Sequence, residues 1–303
     1  MTYEELLIQT AQNDERIIVM TAENRALVRN VPKVLGHRFI DTGITEQTMV
    51  GMAAGLALRG RIPIIHALAP FLTMRAYEFI RTDVGIAHLP VKLSGYIPGL
   101  LSDGNGHTHQ SIEDVAIMRG IPGMEVYCPA DEDDLVKMLP AIWRSDAPAY
   151  VRINHKKGDY THQPYERGKA EIISEGTDCT ILVYGFLFEN ALRAAAILQG
   201  EGLSVGLINM RSLKPVDESV IVQAVKNSRM LVTIEDHLRI GGLYTIVAET
   251  LLQHRMTVQT LALAFDDRWF RPGLLQEVLE TEGFTPEMIA CRIREEMEIE
   301  SIQ

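Results

Sequence analysis

The sequence has little cysteine and no long apolar run, and each absence narrows the classes of protein to consider. Its 303 residues include three cysteines, which are far apart, and they form no CxxC or Cys/His metal pattern. Disulfide scaffolds and structural zinc are therefore not expected, and a reducing compartment fits the cysteine usage. No apolar stretch reaches the ~18 residues that a membrane-spanning helix requires.

Positive charge is also scarce. Lysine and arginine number 29 against 40 aspartates and glutamates, which leaves a formal net charge of -11. An acidic chain without a basic cluster argues against nucleic acid and against an anionic membrane surface as partners. The first residues, Met1–Glu5, lack the basic and apolar regions of a signal peptide. We therefore expect a cytoplasmic protein.

Short apolar runs alternate with helix-period segments along the first half of the chain. The predicted strands are 17–21, 63–66, 91–95, 125–128 and 149–153. The predicted helices are 2–12, 46–59, 71–85, 110–119 and 131–144. Strands that alternate with helices in this way predict βαβ units and a mainly parallel sheet.

A polar stretch at 155–164 interrupts this pattern, and a second α/β series follows it. The predicted strands of that series are 180–184, 203–208, 230–235 and 258–263. Its predicted helices are 187–201, 216–227, 241–254 and 284–298. The sequence thus predicts two doubly wound α/β domains, at 1–154 and 177–303, joined by a linker at 155–176. The second domain is expected to be the smaller.

The segment Asp41–Leu58 reads DTGITEQTMVGMAAGLAL and carries the most informative candidate, Glu46. A loop delivers Glu46 to the start of a helix that is apolar on nearly all sides, which is typical of a buried helix. A carboxylate there lies either at a helix N-terminus, where the dipole favours it, or in a pocket. The residues alone leave both interpretations open.

This segment resembles the glutamate segment of transketolases and deoxyxylulose-phosphate synthases, D-x-G-I-x-E-Q/H followed by a small-residue helix. The similarity continues through Phe71, 25 positions beyond Glu46, and through Gly104–Asp114, which is similar to the family's D-G-x-T-H-Q-x-x-E loop. It covers essentially the whole chain. The resemblance implies a pyrimidine-binding domain, then a transketolase C-terminal-type domain, and a thiamine-diphosphate enzyme that transfers two-carbon ketol units from a ketose to an aldose.

The resemblance also implies roles for the residues at matching positions. Glu46 would contact N1′ of the aminopyrimidine, where a carboxyl group favours the tautomer in which the cofactor deprotonates its own C2. Phe71 would stack on the pyrimidine, with Leu68 and Met74 at the edges of the ring. His109 would contact the donor substrate. From the residues alone, core packing explains Phe71, Leu68 and Met74 equally well.

His107 and His109 share a polar, glycine-rich loop, and binding residues concentrate on loops that a scaffold holds in place. A metal-binding pair is the rival interpretation, but no third ligand is evident nearby. No metal ligand is therefore assigned to this chain. His109 is the His of T-H-Q, whereas His107 is kept as a further candidate for substrate contact or as ordinary loop polarity.

The positions that bind sugar phosphate in typical transketolases are largely changed. Arg152 is the one that clearly keeps its residue, and cationic side chains are what phosphate recognition needs. Arg25 lies near a lost serine position and is a candidate replacement. Asn105 stands where an aspartate usually contacts substrate hydroxyls, with Asp103 close enough to replace it. Glu23 stands where an aspartate usually lies near the thiazolium.

A Gly-Asp-Gly motif is missing from the chain. Thiamine-diphosphate enzymes use that motif to hold Mg²⁺, which neutralises the diphosphate through oxygen ligands. The resemblance therefore implies an N-terminal transketolase subunit that carries Gly-Asp-Gly, Mg²⁺ and the diphosphate. We expect this chain to form a dimer and, with that partner, a heterotetramer with two copies of each chain (α2β2). Sugars or sugar phosphates are the expected substrates.

Two other functions stay open. The β subunit of a 2-oxo acid dehydrogenase E1 component also lacks Gly-Asp-Gly and carries a similar E-Q segment, although the T-H-Q loop and Phe71 favour transketolase. A catalytically silent assembly subunit would explain the lost phosphate ligands, but retention of Glu46, Phe71 and His109 argues against it. A flavin- or nicotinamide-binding protein would need a Gly-x-Gly-x-x-Gly turn, and none occurs in the right place.

Overall fold

Two mainly parallel β-sheets organise the residues described by this computed structural model, 1–300, with side chains through Glu298. The strands are β1 Ile17–Thr21, β2 Phe39–Asp41, β3 Ile62–Leu68, β4 Lys92–Tyr96, β5 Glu125–Tyr127, β6 Ala149–Ile153, β7 Glu171–Ser174, β8 Cys179–Val183, β9 Val205–Asn209, β10 Ser212–Lys214, β11 Met230–Leu238 and β12 Gln259–Phe265. The first sheet has the order β10-β5-β6-β4-β3-β1-β2 and the second β12-β11-β8-β9-β7. One antiparallel pair lies in each sheet, β10 with β5 in the first and β7 with β9 in the second. The predicted fold of two α/β domains is confirmed.

The helices cover both sheets. They are α1 Tyr3–Asn13, α2 Val31–Leu35, α3 Glu46–Leu58, α4 Tyr77–Phe79, α5 Asp114–Arg119, α6 Glu132–Arg144, α7 Phe188–Gly200, α8 Glu218–Asn227, α9 Leu243–Gln253, α10 Leu275–Glu282 and α11 Pro286–Glu300. Two π-helical turns, Phe71–Arg75 and Ile80–Gly85, flank α4. Within residues 1–300, no helix is long and apolar enough to cross a bilayer.

Strand β1 shows why helices pack on both faces of the first sheet. All five of its residues are buried, and successive side chains of a strand point to opposite faces. Ile18 and Met20 lie in a core with residues of α3, whereas Ile17 and Val19 lie in a core with residues of α1 and α6. A strand that is apolar on both faces must be covered on both, as is typical of parallel sheets.

Three short edge strands lie outside the predicted pattern: β2, whose residues are only half-buried, β7 and β10. β7 falls within the predicted linker at 155–176 and pairs with β9 at the edge of the second sheet. Its Ile172 is exposed, so β7 lacks the continuous buried run by which the central strands were identified. β10 follows β9 in the chain but joins the first sheet beside β5. This pairing depends on distant residues and leaves no local sequence signal.

A buried ion-pair cluster joins the two domains at Arg152 in β6, which is 2% exposed. Arg152 Nε lies 3.0 Å from Asp114 Oδ2, and Arg152 Nη1 lies 2.6 Å from Asp236 Oδ1 in β11. The hydroxyl of Tyr150 also donates to Asp114, at 2.6 Å. Burial raises the pKa of Asp236, and Arg152 opposes that rise. One guanidinium therefore provides the counter-charge for two carboxylates that have no access to water.

We expect Arg152→Ala to lower the free energy of unfolding by ~3–5 kcal/mol, because Asp114 and Asp236 would stay buried without their counter-charge. Urea denaturation of the purified chain measures this loss. Arg193→Ala is the matched control, since Arg193 is 61% exposed and pairs with Glu189 on the surface of α7. That control should cost at most ~0.5 kcal/mol. Equal losses in the two variants would contradict a stabilising role for the cluster.

A second buried polar cluster surrounds His162, between the two sheets. Its Nδ1 lies 2.6 Å from Glu171 Oε2, and its Nε2 lies 3.2 Å from Asp131 Oδ2. Burial opposes charge on this ring, but the bonds to Asp131 and Glu171 outweigh it and raise the pKa of His162 to about 9. Asp134 and Glu171 lie close enough to His162 to hold a cation with it. Both carboxylates also pair with Arg211, at 2.9 and 2.7 Å. Arg211 and protonated His162 therefore supply the positive charge that balances them, in place of a metal ion.

His162 should make the stability of the chain depend on pH. Its pKa is about 9 in the folded chain against an ordinary value of 6.5. Its contribution is therefore complete below pH 6.5 and is lost as the pH rises through about 9. We expect the urea midpoint of the wild type to fall across that interval, and to fall less in His162→Gln.

Urea titrations at a series of pH values measure this difference in slope. His254→Gln is the control, because His254 is partly exposed and pairs with Glu218 at the surface. It should keep the wild-type pH dependence. The same slope in His162→Gln as in the wild type would show that His162 does not carry the effect.

Candidate functional site

The candidate residues lie at one edge of the first sheet, after the carboxyl ends of neighbouring strands. Glu46 follows β2, Phe71 follows β3 and His109 follows β4. The strands β4, β3, β1 and β2 are adjacent and mutually parallel, so the segments that follow them emerge at the same edge. In open α/β sheets this edge is where ligands bind.

Glu46 is the first residue of α3 and is only 3% exposed. The helix buries Met49, Val50 and Ala53 against the sheet, which brings its N-terminus to the strand ends. The positive end of the helix dipole favours a carboxylate at this position. Glu46 is thus a first-turn helix acid that is also buried.

Phe71 lies near Glu46, and the side chain of Arg75 contacts both residues. The guanidinium carbon of Arg75 lies 3.8 Å from the centre of the Phe71 ring, and its Nη1 lies 3.4 Å from Glu46 Oε1. The His109 ring packs edge-on to Phe71, with centroids 5.0 Å apart. Arg75 and Phe71 belong to one π-helical turn, a feature frequent at functional sites. Glu46, Phe71 and His109 are therefore brought together, whereas their roles toward the cofactor and the donor stay predictions.

Leu68 and Met74 flank Phe71 in the chain. Leu68 is the half-buried last residue of β3, and Met74 lies on the same turn as Phe71. The side chain of Met74 is 40% exposed, so it offers apolar surface at the mouth of the site. Their contact with a cofactor ring stays a prediction.

Glu23 and Arg25 follow β1 at the same edge, where Asp41 holds them. The backbone N–H of Glu23 donates to Asp41 Oδ1 at 3.1 Å, and Arg25 Nε donates to Asp41 Oδ2 at 2.7 Å. Glu23 adopts a φ of 72°, a strained conformation for a residue with a side chain. Both side chains are exposed, but an anion would have to compete with Asp41 for Arg25.

The other predicted substrate residues make contacts within the chain. His107 Nε2 bonds to the carbonyl of Phe270 at 2.7 Å, and Asp103 Oδ1 accepts the N–H of Leu275 at 2.5 Å. Asn105 Nδ2 donates to a carbonyl of its own loop at 2.8 Å. His107 and Asp103 therefore fasten the T-H-Q loop to the C-terminal domain. This geometry favours a structural role for His107.

The structure does not support the predicted substrate role of Arg152. Its guanidinium is buried and already neutralised by Asp114 and Asp236. Binding a phosphate there would require breaking two buried ion pairs, which would leave the charges of Asp114 and Asp236 uncompensated. Arg152 is therefore reinterpreted as a structural residue that joins the domains.

Arg75 is the site residue whose role the sequence interpretation missed. It belongs to the segment RAYE, four residues after Phe71, and was noted only as part of a continuing resemblance. Its spacing from Phe71 places the two side chains close together on a helical turn. That spacing could have marked it, but the contact with Glu46, 29 positions away, could not be inferred from a local pattern.

Comparison with known protein families matches both domains of the chain. Residues 1–159 match the transketolase pyrimidine binding domain, and residues 168–289 match the transketolase C-terminal domain. The chain is 36% identical over 293 residues to a 6-deoxy-6-sulfo-D-fructose transketolase subunit of Clostridium sp. (strain MSTE9). That alignment covers 95% of this chain and 91% of the relative.

Two further comparisons bear on how the chain is organised. It is 33% identical over 297 residues to a 1-deoxy-D-xylulose-5-phosphate synthase of Prochlorococcus marinus (strain NATL2A), covering 95% of this chain but 47% of the synthase. A solved structure described as a split gene transketolase, inactive beta4 tetramer, has a TM-score of 0.87 at 30% identity. It covers 98% of this chain and 96% of that one. With both domains matched and relatives aligned over nearly the full length, the chain belongs to the transketolase family.

Proposed function

We propose that the chain is the pyrimidine-binding subunit of a two-chain, thiamine-diphosphate-dependent transketolase. The observation that carries the proposal is the convergence of Glu46, Phe71 and His109 at one sheet edge. The reaction is transfer of a two-carbon ketol unit from a ketose to an aldose.

The space beside Phe71 suits an aminopyrimidine ring. Arg75 supports this fit, because its planar guanidinium lies over the Phe71 ring while pointing an N–H group at Glu46. A flat group that bears hydrogen-bonding nitrogens therefore fits between the ring and the carboxylate, and an aminopyrimidine has both properties. When bound, thiamine diphosphate supplies the carbon nucleophile. Glu46 holds the hydrogen bond at N1′, Phe71 orients the ring and His109 faces the donor substrate.

The diphosphate of the cofactor requires a second chain. This sequence contains no Gly-Asp-Gly, and in the buried group of Asp134, His162 and Glu171 both carboxylates already pair with Arg211. An N-terminal subunit with Gly-Asp-Gly would hold Mg²⁺ and the diphosphate through oxygen ligands. The synthase relative is consistent with this division, since the chain corresponds to 47% of its length.

Exposed apolar side chains in the segments that carry Glu46 and Phe71 provide a surface for assembly. They lie on and before α3 and on the helical segment after β3, and they are Ile44, Met52, Leu58, Phe79 and Ile86. These segments pack on one another. Exposed apolar patches mark interaction sites. A second copy of this chain and the diphosphate-binding subunit would cover them, giving a dimer alone and a heterotetramer with the partner.

We expect Glu46→Gln to lower the turnover of the reconstituted complex at least ~100-fold, the lower range for the contribution of a general acid–base group. The amide keeps the shape of the side chain, so the complex should still assemble. Steady-state assays with a panel of ketose donors measure the loss. Glu15→Gln is the control, because Glu15 is exposed and precedes β1, at the opposite edge of the sheet. Turnover near that of the wild type would rule out the role of Glu46.

The proposal also predicts that the isolated chain has negligible affinity for thiamine diphosphate, because half of the site is missing. Calorimetric titration of the folded chain with thiamine diphosphate and Mg²⁺ tests this directly. Addition of an N-terminal transketolase subunit that carries Gly-Asp-Gly should restore binding, at one cofactor per pair of chains. Tight stoichiometric binding by the isolated chain would contradict the two-chain site.

A further inference from the structure

Arg75 lies where the proposed pyrimidine ring would bind. It makes the two contacts assigned to that ring, a stack at 3.8 Å on Phe71 and a polar contact at 3.4 Å with Glu46. A ring cannot occupy the face of Phe71 that Arg75 covers. Arg75 and the cofactor therefore exclude each other as long as this side chain keeps its conformation.

We infer that Arg75 is a placeholder that closes the pyrimidine half-site of the cofactor-free chain and is displaced when the cofactor binds. This inference rests on the proposed function, because it takes the pyrimidine ring as the competitor. It assigns to Arg75 control of access to the site, a role distinct from that of the residues that hold the ring.

The physical reason for such a placeholder lies in Glu46 and Phe71. A carboxylate that is 3% exposed is costly without a counter-charge, and Arg75 supplies one. The same guanidinium covers the face of Phe71, which would otherwise meet water. The empty half-site is thereby kept in a conformation suited to a flat, polar ring before any cofactor arrives.

Displacement of Arg75 is feasible because the residue is anchored weakly. Its side chain is 46% exposed, so the guanidinium can turn outward into solvent by rotation about its own bonds. A partly exposed cation over an aromatic ring, together with a loose ion pair, holds it only modestly. The cofactor competes with this closed state, and its apparent affinity is lowered by the fraction of chains that are closed.

The test is the affinity of the reconstituted two-chain complex for thiamine diphosphate with Mg²⁺, measured by calorimetry. Arg75→Ala should bind the cofactor about tenfold more tightly than the wild type, because the competing contacts are gone. Arg75→Lys should also bind more tightly, since an ammonium cannot stack as a flat guanidinium does. Arg193→Ala is the matched control, because Arg193 is an exposed arginine on α7 of the second domain, outside the surface proposed for assembly. Its affinity should equal that of the wild type.

A control titration with inorganic pyrophosphate and Mg²⁺ tests whether Arg75 affects only the pyrimidine half of the cofactor site. The affinity for pyrophosphate should be the same in Arg75→Ala and in the wild type, because pyrophosphate has no ring to compete with Arg75. Weaker or unchanged binding of thiamine diphosphate by Arg75→Ala would overturn the placeholder. If even the wild-type complex fails to bind the cofactor, the proposed function fails, and the placeholder fails with it.

Discussion

The adjacency of four parallel strands, β4-β3-β1-β2, is the constraint on which the site depends. Glu46 and His109 are 63 positions apart in the chain, yet both follow carboxyl ends of these strands. The helices that return between the strands pack on the sheet faces, and α3 does so with Met49, Val50 and Ala53. Its other side leaves Met52 and Leu58 exposed. Because α3 starts at the sheet edge, its first residue, Glu46, lies where a ligand can reach it.

The C-terminal domain supports this site through polar contacts, some of which are buried. Arg152 ties β6 to β11 through Asp236, and His162 lies among acidic groups from both sides of the domain boundary. His107 and Asp103 hold the T-H-Q loop in place by bonding to Phe270, which precedes α10, and to Leu275, the first residue of α10. We interpret the second domain as a frame that fixes the loop carrying His109.

Much of the fold and the centre of the site could be predicted from the sequence. The apolar runs of the central parallel strands are local signals, and Glu46 and Phe71 lie at positions that the family resemblance marks. The edge strand β10 could not be predicted, because its partner is distant in the chain. The role of Arg152 was misjudged for a similar reason. Residue type shows that a cation is present but not which carboxylates, here Asp114 and Asp236, the fold brings to it.

The central claim is that one cofactor site is divided between two chains, with the pyrimidine on this one. A crystal structure of the reconstituted complex with thiamine diphosphate and Mg²⁺ tests it most directly. The account predicts the pyrimidine stacked on Phe71 with N1′ at Glu46, Arg75 turned outward, and the diphosphate and Mg²⁺ on the Gly-Asp-Gly subunit. A cofactor held wholly within one chain, or one that leaves Phe71 and Glu46 without contact, would contradict it.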